Sequence, residues 1–282
     1  MKELKNLPKI VSMGLFASPA ICFAAGSSAH GDVPHKHEIL IQNESAFLQG
    51  KGESQLDIGY EIFRDKEIHH ETIDEDVILF AYEYGLTDRL QVSLEVLHLD
   101  ETEEDEEHHV HSIKGLTDIE MALSYVLFEE TDSAPQVSAV LKTVLPTGDE
   151  DEGLGHGTLG LGLGVNASKM INEHFGLHFS TGFVKIDDAE SHGHEVDIEE
   201  FNYGLSASYS ATEDIVLLFE YKSDREKESD SDGHSESITQ SYLAPGALFK
   251  FPHHREIGVS FPVGLTDESF DWGAILEFTM EF

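Results

Sequence analysis

The last thirteen residues, Phe270 to Phe282 (FDWGAILEFTMEF), constrain the chain most. In an extended strand, Phe270, Trp272, Ala274, Leu276, Phe278, Met280 and Phe282 fall on one side, and Asp271, Gly273, Ile275, Glu277, Thr279 and Glu281 on the other. A wholly apolar face must meet either a protein core or hydrocarbon. Here it carries aromatics at both ends and stops on a strand-borne phenylalanine. That is the pattern of a strand facing lipid, with aromatic girdles at both interfaces and polar side chains toward a lumen. A single such strand spans nothing, so the pattern must repeat along the chain.

The start of the chain points to export. Lys2, Lys5 and Lys9 precede a short apolar run, Ile10 to Ala25, with a small-residue exit at Cys22-Phe23-Ala24. This reads as a secretory signal peptide over 1–25, cleaved after Ala24 or Ala25; the run is too short to span a bilayer. Ile21 sits where a lipoprotein signal needs a small residue, so Cys22, the only cysteine, is expected to leave with the signal. The mature chain then has no disulfide to rely on. The 17 Lys+Arg stand against 55 Asp+Glu, and without the three signal lysines and Glu3 the balance is 14 against 54, a net charge of about −40. A surface of that sign repels nucleic acid. No later apolar run reaches the ~18 residues of a helical span, a test that alternating barrel strands escape.

Twelve candidate strands follow: 55–63, 77–84, 89–98, 118–128, 136–146, 158–168, 174–184, 201–210, 215–222, 238–251, 256–264 and 270–282. In the third, Leu90, Val92, Leu94 and Val96 alternate with Gln91, Ser93 and Glu95. In the sixth, leucines alternate with Gly160, Gly162 and Gly164, so almost nothing faces inward. Odd strands are followed by long charged loops (64–76, 99–117, 147–157, 185–200, 223–237) and even ones by short turns (85–88, 129–135, 169–173, 211–214, 252–255). An even strand count with short turns on one side and long loops on the other is the outer-membrane arrangement. The expected organisation is the signal peptide, a periplasmic segment over 26–52 that either plugs the lumen or is disordered, and over 53–282 an all-β, antiparallel up-and-down transmembrane barrel of about twelve strands in the bacterial outer membrane.

The segments GLTDRLQVSLEV and GLTDIEMALSYVLF, and above all LKTVLPTGDEDEGLGHGTLGLGLGVNASKMINEHFGLHFSTGF, resemble the outer-membrane transporters grouped under the MetA-pathway of phenol degradation. The resemblance covers roughly Gly85 to Phe183 and is carried by the strand ending Pro146-Thr147-Gly148-Asp149, the Gly-rich strand after it, and the alternating aromatics beyond. It implies uptake of small, often hydrophobic or aromatic, compounds. The chain departs from the family in its His-rich acidic loops. The terminal strand also resembles the closing strand of bacterial outer-membrane barrels, which makes Phe282 an assembly signal and the barrel assembly machinery a partner.

Strand parity places Asp57, Glu61, Glu83, Glu95, Glu120, Glu220, Asp271, Glu277 and Glu281 toward the lumen, against Arg89, Lys142 and Lys222. Such an excess of carboxylates favours cations over anions. Histidines mark the long loops: His69, His70, His108, His109, His111, His156, His192, His194 and His234; His30, His35 and His37 precede the first strand. Imidazole with carboxylate suits zinc, nickel, cobalt or copper, and carboxylates alone suit calcium; as composition, the same tract is equally a solvated acidic loop. No G-x-S-x-G or H-E-x-x-H motif occurs, and Ser93 and His98 have opposite parity, so no enzyme and no required cofactor is expected. The reading is a monomeric channel or transporter for small solutes or cations, in contact with outer-membrane lipid and lipopolysaccharide. Two alternatives stand beside it: a divalent-metal binding or permeation protein, and a structural barrel with a blocked lumen.

Overall fold

A computed structural model describes residues 40–282 apart from 69–70, 106 and 192–193. The signal peptide and His30, His35, His37, His69, His70 and His192 lie outside the described residues. The strands are β1 (Ser54–Ile68), β2 (Glu71–Thr87), β3 (Leu90–Glu104), β4 (Val110–Leu116), β5 (Ile119–Phe128), β6 (Gln136–Leu145), β7 (Gly160–Met170), β8 (Phe175–Ser191), β9 (His194–Ser210), β10 (Ile215–Asp230), β11 (Ser235–Phe251), β12 (Arg255–Ser260), β13 (Val263–Gly264) and β14 (Trp272–Glu281). Each stave pairs antiparallel with the next in chain order. Strands β4 and β5 are two pieces of one stave beside β3, broken at Thr117-Asp118. Strands β12 and β13 are two pieces of another beside β14, broken at Phe261-Pro262, where proline has no N–H to give the ladder. The barrel therefore has the twelve staves expected.

Closure is complete. β1 pairs with β14 from Gln55↔Glu281 to Arg64↔Trp272, and Ser54 and Phe282 exchange backbone hydrogen bonds of 2.8 and 3.2 Å. No edge is left to satisfy in lipid. Around the outside, Tyr60, Phe80, Leu123, Leu163, Phe219 and Leu276 are among a belt of exposed large apolar side chains, with Trp272 and Phe282 at opposite ends of the last stave. Exposed to water, a continuous belt of this kind would be an aggregation surface; against hydrocarbon it is the favourable face.

The long loops are shorter than the charge pattern suggests, because most of their residues extend the strands. β1 and β2 run to 68 and from 71, absorbing most of 64–76, and β8 with β9 and β10 with β11 likewise absorb 185–200 and 223–237. Above the belt the two faces exchange polarity. Many inward positions become apolar (Phe63, Ile68, Ile73, Leu97, Leu99 on one side; Val184, Ile186, Val196, Ile198 on the other) around a buried charged group that includes Lys66, Glu75, Glu101 and Glu226, while the outward face becomes charged. These hairpins thus stand in water as an ordinary sheet with an internal core, and alternation of either sign makes a strand. Bulges between Phe63 and Lys66 and between Ile186 and Ala189, with Asp65 and Asp188 at φ 62° and 54°, mark the level of this exchange.

The closing stretch is corrected at one end. Phe270 precedes β14 and is buried inside the barrel, its ring 5.4 Å from that of Phe63, with Lys66 Nζ 5.0 Å from its centroid. The lipid-facing series begins at Trp272.

Candidate functional site: a lumen occupied by residues 40–49

One part of the inner wall is built from very small residues. Gly160, Gly162 and Gly164 of β7 face inward, opposite Ser180 and Gly182 of β8 and Gly204, Ser206 and Ser208 of β9. Val144, Ile186 and Val184 fill the space before Gly160 and Gly162, and beside the rest of this wall runs the chain before β1: Leu40 to Gln49 enter the lumen, nearly all of them buried. The close approach is tightest at Gly204, where a Cβ would overlap the Asn43 side chain. Ile41 packs on Gly246 and Gly258 across the barrel.

Polar contacts fix this segment, since its backbone has no strand partner. The Glu220 carboxylate accepts from three successive N–H groups: Ile41 at 3.1 Å, Gln42 at 3.1 Å and Asn43 at 3.2 Å. Asn43 Nδ2 donates to Ser206 Oγ (2.8 Å), Ala46 N to Ser168 Oγ (2.8 Å), and Gln49 N to Gln91 Oε1 (2.6 Å). Gln136 Nε2 donates to the Ala46 carbonyl. Ser168 also meets His178 Nδ1 at 2.9 Å. Gly204→Val is expected to push residues 42–44 off the wall and raise single-channel conductance by about two-fold, measured in planar bilayers.

Asp57, Glu61, Glu83, Glu95, Glu120, Glu220 and Glu277 are buried on the inner face. Asp57 accepts from Thr279 Oγ1 and Gln55 Nε2; Lys142 pairs with Glu120, and Lys222 Nζ stands 3.6 Å from Asp224. Glu281 is half-buried at the periplasmic end, 3.7 Å from His254. Two residues of the right parity are not in the lumen. Arg89 lies in the turn before β3, exposed and paired with Glu129, and Asp271 is exposed in the turn before β14. Parity is meaningful only where a residue lies within a strand. Sequence reasoning also missed Glu44, Lys66, Glu75, Glu101, Asp224 and Glu226, which line the interior from the segment and the strand extensions. The available signal that something fills the lumen was the inward glycines Gly204, Gly246 and Gly258, which meet Asn43 and Ile41.

The histidines separate. His156 is buried against Asp118, whose carboxylate accepts from Thr147 N, Gly148 N, His156 N and His156 Nδ1, all at 2.8–2.9 Å. This folds the loop 147–157 over the barrel, seating Leu154 in the lumen core. His108 pairs with Glu104, His109 with Asp105 (3.0 Å) and His234 with Asp230 (3.4 Å), each within its own exposed turn. Backbone N–H groups, from His109 and His234 respectively, hold the Asp105 and Asp230 carboxyls below the usual range. His111 is exposed on β4, and His194 opens β9. Among the described residues no group of three His, Cys, Asp or Glu is arranged to hold a metal ion.

The sequence profile of the family described as "Putative MetA-pathway of phenol degradation" matches residues 40–282. The chain belongs to this family. The match begins at Leu40, so the family region includes the segment inside the lumen as well as the whole barrel. Among solved structures, an outer membrane channel from Pseudomonas putida F1 shares the fold at TM-score 0.68 and 15% identity, covering 89% of this chain and 100% of that one. The β-domain of a Bordetella autotransporter, BrkA, is similar at TM-score 0.50 and 11% identity, covering 82% and 100%. No curated protein matches the sequence. In this family member the fold is therefore that of outer-membrane barrels, with an ionisable inner wall and a chain segment lying within it.

Proposed function

We propose that this barrel is a narrow outer-membrane channel for small solutes, with its width set by residues 40–49 and a preference for cations. The observation that carries the reading is the occupied lumen: the segment is held by hydrogen bonds and by the packing of Leu40, Ile41 and Phe47 without any strand pairing, beside inner-wall carboxylates that outnumber lysines. An excess of fixed negative charge raises the local cation concentration and lowers that of anions. Small hydrophobic or aromatic compounds are further candidate cargo, the class that the family description suggests.

The test is planar-bilayer recording of the refolded mature barrel in a potassium chloride gradient. A reversal potential on the potassium side, with conductance well below that of an open sixteen-stranded pore, is the expected result. Chloride selectivity, or no current from both wild type and Gly204→Val, overturns the reading.

A further inference from the structure

The carboxylates inside the barrel are not equally open to a passing ion. Asp57, Glu61, Glu83, Glu95 and Glu277, on β14 and β1–β3, are each no more than 2% exposed, so this wall is sealed from water. On the other side of the ring, Lys142, Glu200, Asn202 and Lys222 are half-buried around a cavity of about 70 Å³ beside residues 42–44. That is room for about five water molecules. A partly hydrated ion needs such space, and it therefore passes along β6–β10 rather than along the sealed carboxylates.

The charges that line this cavity balance: Lys142, Lys222 and Arg225 stand against Glu44, Glu200 and Asp224. Five of the six belong to the barrel wall, where Glu120 and Asp224 hold Lys142 and Lys222 in ion pairs. Glu44 alone arrives with the segment. It is the only ionisable side chain in residues 40–49, and the only one of the ten that is not buried. Its carboxylate is held by a neutral donor, Asn166 Nδ2, at 2.7 Å. Within a few ångströms, one unit charge changes the local concentration of a passing ion several-fold even at a water-like dielectric.

We infer that Glu44 is the residue that sets the charge selectivity of this channel, so that the segment narrowing the lumen also carries its filter. The inference deepens the channel reading, on which it rests. With Glu44 neutralised, the lining keeps three cations against two carboxylates and shifts toward anions.

Reversal potentials of the refolded mature barrel in planar bilayers, in a potassium chloride gradient at alkaline pH, test this directly. Glu44→Gln keeps the shape and should lower the potassium-to-chloride permeability ratio by at least about fivefold, with conductance changed by less than about two-fold. Glu83→Gln, in the sealed wall, should lower the ratio by a smaller factor. Should Glu44→Gln release the segment and widen the pore, Glu44→Cys in a Cys22→Ser background decides, because its thiol is then unique in the chain. Attaching a negatively charged sulfonatoethyl group to that thiol should raise the ratio toward the wild-type value, and a positively charged trimethylammonioethyl group should lower it further. Heat-modifiable migration on gels checks that each variant is a folded barrel. An unchanged ratio in Glu44→Gln, a shift no larger than that of Glu83→Gln, or equal effects of the two thiol reagents overturns the inference. Chloride selectivity of the wild type contradicts the channel reading instead; a potassium preference that survives both Glu44 variants contradicts only this assignment.

Discussion

Glu220→Gln is expected to convert the barrel into a markedly wider conductor. In the native chain this one carboxylate gathers the N–H groups of Ile41, Gln42 and Asn43 on two oxygens, deep in the lumen where water competes poorly. An amide offers a single acceptor oxygen and turns its own N–H donors toward those of the segment. Losing charge-assisted bonds of this kind costs about 3 kcal/mol, a shift of ~100-fold in the ratio of docked to released segment. The barrel itself keeps every ladder hydrogen bond, because Glu220 points inward from β10. The observable is single-channel conductance, which should rise by about two-fold or more, with larger open-channel noise. Unchanged conductance would mean that Glu220 does not hold the segment in place.

The second large effect is expected at Asp118, and its readout is stability. Its two oxygens satisfy three backbone N–H groups and the His156 ring, and they tie the break in the β4–β5 stave to both ends of the loop 147–157. Asp118→Ala leaves the buried His156 N–H and ring and the half-buried Gly148 N–H without this acceptor, at about 1–3 kcal/mol for each and not additively, while the exposed Thr147 N–H keeps the Leu145 carbonyl. A total loss of about 3–5 kcal/mol in urea unfolding from lipid vesicles is the expectation, together with new protease cleavage inside the loop. His156→Ala removes one donor and leaves the carboxylate's backbone bonds, so its loss should be about a third as large. Equal effects of the two substitutions would contradict the placement of Asp118 as the centre of the loop.

How much of this was legible depends on where a residue lies relative to the bilayer. Within the belt, the period of two assigns Glu95 and Leu94 to opposite faces without ambiguity, and the same rule gives the stave count and the closing pair. Beyond the belt the rule still makes strands but reverses its meaning. Leu97 and Leu99 share the inward parity of Glu95, and they build a luminal core rather than meeting lipid. Charged stretches such as 185–200 look like loops to a reader who expects membrane strands to be apolar on one side. Arg89 and Asp271 have inward parity but sit in turns, where parity does not apply. Residues 40–49 carry no period at all, because they fill space left by Gly204 and its neighbours instead of joining the sheet. The Asp118–His156 pair joins residues that only the folded loop brings together.

The central claim, that a reversibly docked segment sets the width of the pore, is open to a direct measurement. Ser45 Oγ and Ser168 Oγ lie 3.3 Å apart, so Ser45→Cys with Ser168→Cys replaces a contact by a covalent lock of nearly the same shape. Changing Cys22 to serine makes the pair unique in the chain. In the Glu220→Gln background, the oxidised pair should hold conductance at the wild-type level, and reductant added during recording should release it to the wider state. Conductance that is the same with the lock closed and open, in both backgrounds, would contradict the account.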